Sequence, residues 1–234
     1  MKQKLIRYAC LALLLAVIST VCLGFVSSKE GMFIDEIYSF GLSNNHEGAY
    51  ISSLTEGNLV DKTLTRQDLL DYVVVNEGQE FDFKAVYDNQ AEDVHPPLYY
   101  WLFHIVYSFF PGSFDMGPAY VLHLVIFSAC LILLYALLQE LFKSTVVALS
   151  GVAMYGLSLL GLNTMLMLRM YVLMTAFSVL LALLIAKLMR EKMDKCKDIV
   201  FAENSVKIWS SLDEESLVQL ELLVSELCKE YLEQ

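Results

Sequence analysis

Five long apolar runs constrain what this chain can fold into. They cover residues 8–26, 98–110, 118–142, 146–168 and 171–189. Four of them approach or reach the roughly 20 residues that a helix needs to cross a bilayer core. Because 56% of the residues are hydrophobic, the chain is too apolar for an ordinary soluble domain. The sequence predicts an all-α integral membrane protein with four to five transmembrane or re-entrant helices.

Basic residues at both ends of the apolar region indicate its orientation. Lys2, Lys4 and Arg7 precede the first run, and a cluster between Lys187 and Lys197 follows the last. Cytoplasmic loops carry an excess of such residues, so both ends are predicted to be cytoplasmic and the number of crossings even. The first run is either a signal peptide or an uncleaved anchor, and its length favours the anchor. We therefore expect a multi-pass cell membrane protein with a cytoplasmic N-terminus.

The run at 98–110 differs from the others because it is short. As a helix it measures roughly 20 Å, against a hydrocarbon core of about 30 Å. Pro111-Gly112 ends it sharply. We predict an interfacial helix, the alternative being a tilted crossing that places the tail outside. The predicted membrane domain, residues 1–190, then has spans at about 8–26, 118–142, 146–168 and 171–189.

The predicted outer loop, residues 27–97, is strongly acidic. It holds fourteen acidic and four basic residues, a net charge of −10. This charge repels nucleic acid and excludes it as a partner. Within the loop, residues 65–75 have a weak helical pattern, and residues 80–87 fit a short strand or a turn.

The cysteines and histidines predict no cofactor. The five cysteines form no CxxC pair, and the four histidines lack the spacing of metal ligands. A divalent metal is therefore not indicated.

The C-terminal residues 191–234 have a different composition and are predicted to be a cytoplasmic helical tail. Ser211 to Glu214 resembles a capping box, and apolar residues then recur at helical spacing. This pattern predicts a soluble amphipathic helix over 212–232, which either binds a helical partner or packs as a simple tail.

Two polar clusters stand at the ends of apolar runs. The pair Asp35-Glu36 follows the first span, and Asp93 and His95 precede Pro96-Pro97 at the start of run 98–110. Adjacent carboxylates at an interface suit a general base for a hydroxyl acceptor. A helix that begins after proline presents free N–H groups, which suit a phosphate. The alternative is a solvated acidic pair and an interfacial belt of aromatic residues.

Arg169 is a third candidate. It is the only charged residue between Lys143 and Lys187, so it needs a partner or the membrane surface. A phosphate or an outer carboxylate would satisfy the guanidinium; alternatively, the side chain extends into the lipid headgroups. With four crossings, it lies on the same side as the two polar clusters.

Together these features resemble the GT-C superfamily of membrane glycosyltransferases. The resemblance is strongest to the bacterial members of the protein O-mannosyltransferase group, family 39, and covers the N-terminal portion, about residues 1–190. Three motifs carry it: Phe33-Ile34-Asp35-Glu36-Ile37-Tyr38, Asp93-Val94-His95-Pro96-Pro97-Leu98-Tyr99-Tyr100-Trp101-Leu102 and Leu168-Arg169-Met170-Tyr171.

The resemblance implies an enzyme of the cell envelope. Such proteins transfer a hexosyl or pentosyl group from a polyprenyl-phosphate-linked sugar to an acceptor at the outer face of the membrane. It implies that Asp35 is the catalytic carboxylate with Glu36 in support, and that lipid-linked donor and membrane lipid are the partners. The substrate-binding residues would be Asp93, His95, Tyr99, Tyr100 and Arg169.

The family usually has more spans than this chain, so the resemblance predicts a truncated member. The acidic residue that precedes its Arg-x-Tyr element is replaced here by Met167-Leu168. The competing hypothesis is a non-enzymatic membrane protein that uses the acidic outer loop or the C-terminal helix to bind a partner.

Overall fold

The computed structural model describes residues 2–52 and 63–200. Within these residues the chain forms nine helices and no strands, so the predicted all-α membrane fold is confirmed. The predicted C-terminal helix at 212–232 lies outside the described residues. The helices are α1 (Lys2–Ser27), α2 (Ile34–Asn44), α3 (Arg66–Val73), α4 (Phe83–Glu92), α5 (Leu98–Tyr107), α6 (Gly117–Phe142), α7 (Thr145–Gly156), α8 (Leu159–Leu166) and α9 (Tyr171–Val200).

Three described helices are long and apolar enough to cross a membrane. The candidate spans are Lys4–Ser27, Gly117–Phe142 and Tyr171–Met193. The run predicted at 146–168 is divided into α7 and α8, which meet at a bend of 59° and together count as a fourth candidate. Ser158 lies at the bend and begins α8, since its hydroxyl accepts a hydrogen bond from the N–H of Gly161.

The chain divides into two compact units, residues 1–180 and 181–234. The first contains α1 to α8 and the beginning of α9, and it holds every contact of the candidate site described below. Of the second unit, the structure describes the C-terminal part of α9 as far as Val200.

The segment between α1 and α6 is more helical than the sequence pattern suggests. A helix, α2, begins one residue before Asp35, and α4 occupies part of the region where a strand or turn fitted the pattern. The weak pattern at 65–75 does form a helix, α3, whose first turn is capped by reciprocal hydrogen bonds between Thr65 and Asp68.

The core of this segment is aromatic. Phe40 of α2 packs edge-on against Phe103 of α5, with ring centroids 4.9 Å apart, and also contacts Tyr107. All three side chains are almost fully buried. Burial of such side chains contributes most of the favourable free energy of folding in so small a region.

Helix α5 runs antiparallel to the first turns of α6. At one end the Tyr107 hydroxyl donates to the carbonyl of Asp115 at 2.5 Å, and at the other Tyr99 meets His123 at 2.7 Å. Its ten residues measure about 15 Å, too short to cross a core of about 30 Å. Helix α6, at about 39 Å, is long enough to cross such a core, and α5 lies beside its first turns.

A glycine sets the distance between α2 and α3. A Cβ atom at Gly41 would overlap the ring of Tyr72, whose hydroxyl donates to the carbonyl of Ala49 at 2.9 Å. We expect Gly41→Ala to destabilise this region by about 1–3 kcal/mol through overpacking, measured as increased proteolysis between α2 and α4. The control Gly24→Ala has open space around the new methyl group, and Tyr72→Leu should partly rescue Gly41→Ala. Equal protease resistance in both glycine variants would refute this packing.

If α6 crosses the membrane, residues near its two ends face opposite sides of it. Lys84, in the segment before α6, and Lys143, which follows α6, both have exposed side chains. In a chain without other cysteines, we expect Lys84→Cys to react with an impermeant maleimide in intact cells. Lys143→Cys should react only after permeabilisation. Labelling of both in intact cells would contradict a membrane crossing by α6.

Candidate active site

The first turn of α2 places Asp35 and Glu36 next to each other but in different surroundings. Acidic residues suit this position because the N-terminus of a helix carries partial positive charge. The Asp35 side chain is half-buried, and its carboxylate makes no hydrogen bond or ion pair within the described residues. Glu36 is fully buried. The pair therefore provides one accessible carboxylate and one enclosed carboxylate.

Three donors hold the enclosed carboxylate of Glu36. Its Oε1 accepts from Lys29 Nζ at 2.5 Å and from the N–H of Leu168 at 2.8 Å, while Oε2 accepts from the N–H of Phe33 at 2.9 Å. Lys29 also donates to the carbonyl of Leu166 at 3.0 Å. We call this set the Lys29–Glu36 clamp. It ties the end of α1 and the start of α2 to the junction between α8 and α9.

The clamp fixes the position of the third candidate, Arg169. This residue immediately follows Leu168 and is only 6% exposed. Its Nη1 donates to the backbone carbonyl of Asp35 at 3.1 Å, and its Nε has no hydrogen-bond partner within the described chain. A buried guanidinium with an unused donor is suited to bind an anion.

The second polar cluster lies between α4 and α5. Asp93 follows the last residue of α4, and its carboxylate lies 2.6 Å from Nδ1 of His95. The His95 and Asp93 side chains are 24% and 15% exposed, respectively. Pro96 and Pro97 restrict the backbone after His95, and α5 then begins at Leu98.

Tyr100 connects the two clusters. Its ring centroid lies 6.4 Å from that of His95, and its hydroxyl points to the sulfur of Met170, next to Arg169. Burial raises the pKa of Tyr100 to about 12, while the guanidinium of Arg169 acts in the opposite direction and the carboxylates of Asp93 and Asp35 add to the rise. Tyr100 is therefore a neutral hydroxyl within electrostatic range of all three charged residues.

Tyr99 has a different role from its neighbour. It is almost fully buried, and its hydroxyl bonds to Nε2 of His123 in α6. Nδ1 of the same imidazole lies 3.0 Å from the carbonyl of Met165 in α8, so Nδ1 carries the proton and Tyr99 donates to Nε2. This chain of hydrogen bonds joins helices α5, α6 and α8 and holds Tyr99, the neighbour of Tyr100, in place.

The structure brings most of the predicted site residues to one end of the helices. Tyr100 lies within electrostatic range of Asp35, Asp93 and Arg169, and its ring lies beside that of His95. Glu36 and Tyr99 are buried. Sequence reasoning missed Lys29 and assigned no specific partner to His123. One feature of the sequence could have indicated Lys29, since it is the only lysine or arginine between Arg7 and Lys62.

An apolar cavity adjoins the clamp. It has a volume of about 420 Å³ and is lined by Lys29, Phe33, Asn163, Leu166 and Met167. Within the described residues, no group of three or more His, Cys, Asp or Glu side chains is arranged to hold a metal ion.

Comparison with known proteins adds one family. Residues 94–202 match the model of the family described as dolichyl-phosphate-mannose-protein mannosyltransferase. The match begins at Val94 and so contains His95, Tyr100 and Arg169, while Asp35 and Glu36 precede it. The match covers less than half of the chain, and over these residues the chain is similar to that family. No curated protein matches the chain, and no solved structure does so.

We expect removal of the Lys29 ammonium group to destabilise the folded protein strongly. Lys29→Met leaves the enclosed Glu36 carboxylate without its counter-ion, and breaking a buried ion pair in this way costs about 3 kcal/mol. We expect a clear fall in the thermal unfolding temperature of the protein in detergent. The control Lys84→Met removes the cation of the exposed pair with Asp88 and should leave that temperature unchanged. The assignment fails if the two variants unfold at the same temperature.

Proposed function

We propose that the protein transfers a sugar from a polyprenyl-phosphate-linked donor to an acceptor at the outer face of the membrane. The proposal rests on one observation: an accessible carboxylate, a buried guanidinium and a histidine all lie around Tyr100. These groups come from three distant parts of the chain. A transfer from a phosphate needs a base for the acceptor and positive charge for the leaving group.

Asp35 is the residue suited to be the base. Its carboxylate makes no contact within the described chain that would compete with a substrate, while its backbone is held by Arg169. As the acceptor oxygen forms its bond to the anomeric carbon of the sugar, the hydroxyl proton passes to Asp35. The bond between that carbon and the phosphate oxygen breaks, and its electron pair stays on the phosphate.

Arg169 is the residue suited to hold that phosphate. Its unused Nε donor and its low exposure make it a strong electrostatic partner, because charges interact more strongly where water is scarce. The start of α5 follows Pro97 and adds free backbone N–H groups near the same region. The protein thus offers the leaving group a fixed cation and helix dipoles.

The apolar cavity beside Lys29 fits the lipid part of the donor. Its walls are mostly hydrocarbon, and it lies where the segment after α1 meets the end of α8. In this proposal the first isoprene units of the donor occupy the cavity, whose wall residue Met167 is two residues from Arg169 in the chain. The sugar is a hexose or pentose; the family description favours mannose, and a protein hydroxyl is then the acceptor.

Asp35→Asn tests this function. We expect the transfer of labelled mannose from polyprenyl phosphate to membrane acceptors to fall by about 10²- to 10⁴-fold, because the amide does not accept the proton. The assay uses membranes from cells that express the chain, normalised to its level. Asp88→Asn, which changes an exposed carboxylate on α4, is the matched control. Transfer that survives Asp35→Asn at unchanged protein level would exclude Asp35 as the base.

If neither variant alters transfer and the wild-type chain transfers no more label than vector membranes, the enzyme proposal is wrong. The partner-binding alternative then becomes the better account of the acidic segment.

A further inference from the structure

We propose that Asp93 and His95 form a proton-transfer dyad, in which Nε2 of His95 gives a proton to the departing phosphate. This inference rests on the proposed function and adds to the base Asp35 a general acid that protonates the leaving phosphate. The same histidine is thereby a catalytic residue that contacts the leaving group, while Asp93 is a positioning residue.

The geometry of the pair supports this assignment. His95 Nδ1 lies 2.6 Å from the carboxylate of Asp93, which is in turn mostly buried. The backbone N–H of Asp93 donates to the carbonyl of Asn89 at 3.2 Å, so the backbone that carries the carboxylate is fixed to the end of α4. With Nδ1 engaged, the imidazole orientation is set, and the proton that can be exchanged with a ligand is the one at Nε2.

The surroundings of His95 fit a group that meets substrate. About a quarter of its side chain is exposed, and Nε2 makes no hydrogen bond within the described residues. The titratable side chains of Asp93 and of Tyr100 in α5 lie next to it, and Asp35, Arg169 and Tyr171 act electrostatically on Tyr100. A base and an acid therefore stand on different elements around one neutral tyrosine.

The proton balance of the reaction is then complete. The acceptor hydroxyl gives its proton to Asp35, the bond from the anomeric carbon to the phosphate oxygen breaks, and protonated His95 gives its Nε2 proton to the phosphate. The products are the glycosylated acceptor and the protonated lipid phosphate, with neutral His95 and protonated Asp35. Exchange with water restores both groups for the next cycle.

The chain contains a second pair that serves as a control. His46 Nδ1 lies 2.9 Å from the carboxylate of Asp82, but both side chains are more exposed than those of the dyad. Asp82 also caps α4 by accepting the N–H of Ala85 at 3.0 Å, and this hydrogen bond is the main cause of its lowered pKa. The second pair therefore has a structural explanation that the first lacks.

The test compares His95→Gln, Asp93→Asn and His46→Gln in the mannose transfer assay over a range of polyprenyl-phosphate mannose concentrations. We expect His95→Gln to lower the maximal rate of transfer by about 10²-fold and to leave the donor concentration for half-maximal transfer nearly unchanged, because the amide has no proton to give. Asp93→Asn should lower the maximal rate less, because the imidazole remains but loses the carboxylate that orients it. His46→Gln should match the wild type.

Three results overturn the dyad. The first is an unchanged maximal rate in His95→Gln; the second is a His95→Gln variant that only raises the donor concentration needed for half-maximal transfer, since this indicates binding alone. The third is a wild-type chain without transfer, which overturns the proposed function as well. If His95→Gln is absent from the membrane, Asp93→Asn decides the matter, and an unchanged maximal rate in that variant counts against the dyad.

Discussion

The buried ion pair between Lys29 and Glu36 is the interaction on which the site depends. A carboxylate that is removed from water is stable only when its charge and its hydrogen-bonding capacity are both satisfied. Here an ammonium and two backbone N–H groups do this, and they come from the end of α1, the start of α2 and the α8–α9 junction. The same contacts place Asp35 and Arg169 side by side, so the enclosed and the accessible carboxylates of this acidic pair are distinct.

Helix lengths limit how the candidate site can sit in a membrane. Helix α5 is too short to cross a bilayer core, and it lies against the first turns of the longer α6 through the contacts of Tyr99 and Tyr107. Under the proposed function, the donor phosphate would reach the site from the membrane surface while its isoprenoid chain stays in hydrocarbon. The low exposure of Arg169 would then strengthen its effect on the bound anion.

Much of the fold was accessible from the sequence, because hydropathy over 20 residues is a strong signal. The spans at α1, α6 and α9 were predicted in this way, and the weak helical pattern at 65–75 indicated α3. Helices α2 and α4 were not predicted, since they are short and their stability comes from packing against α5 and against each other rather than from their own pattern. The break between α7 and α8 lies inside an apolar run, where the polar residue Ser158 is the feature that indicates a new helix start.

The candidate site was partly predictable for a similar reason. Charged residues at the ends of apolar runs are conspicuous, which identified Asp35, Asp93, His95 and Arg169. The contact of Lys29 with Leu166 was hidden because the two residues are 137 positions apart, and pairing at such a separation leaves no local pattern. The N–H of Leu168 that helps to enclose Glu36 is equally distant in the chain, so no local pattern indicates that Glu36 is enclosed and Asp35 accessible.

The most direct measurement of the central claim is the proximity of Arg169 to a lipid-borne phosphate. The chain has four arginines, so a protein with ¹⁵N-labelled arginine can be mixed with polyprenyl phosphate in a phosphorus-free detergent and studied by ¹⁵N–³¹P dipolar dephasing. The account predicts one dephased guanidinium signal, which disappears in Arg169→Met and persists in Arg66→Met. Absence of dephasing in the wild type, or dephasing that survives Arg169→Met, would contradict it.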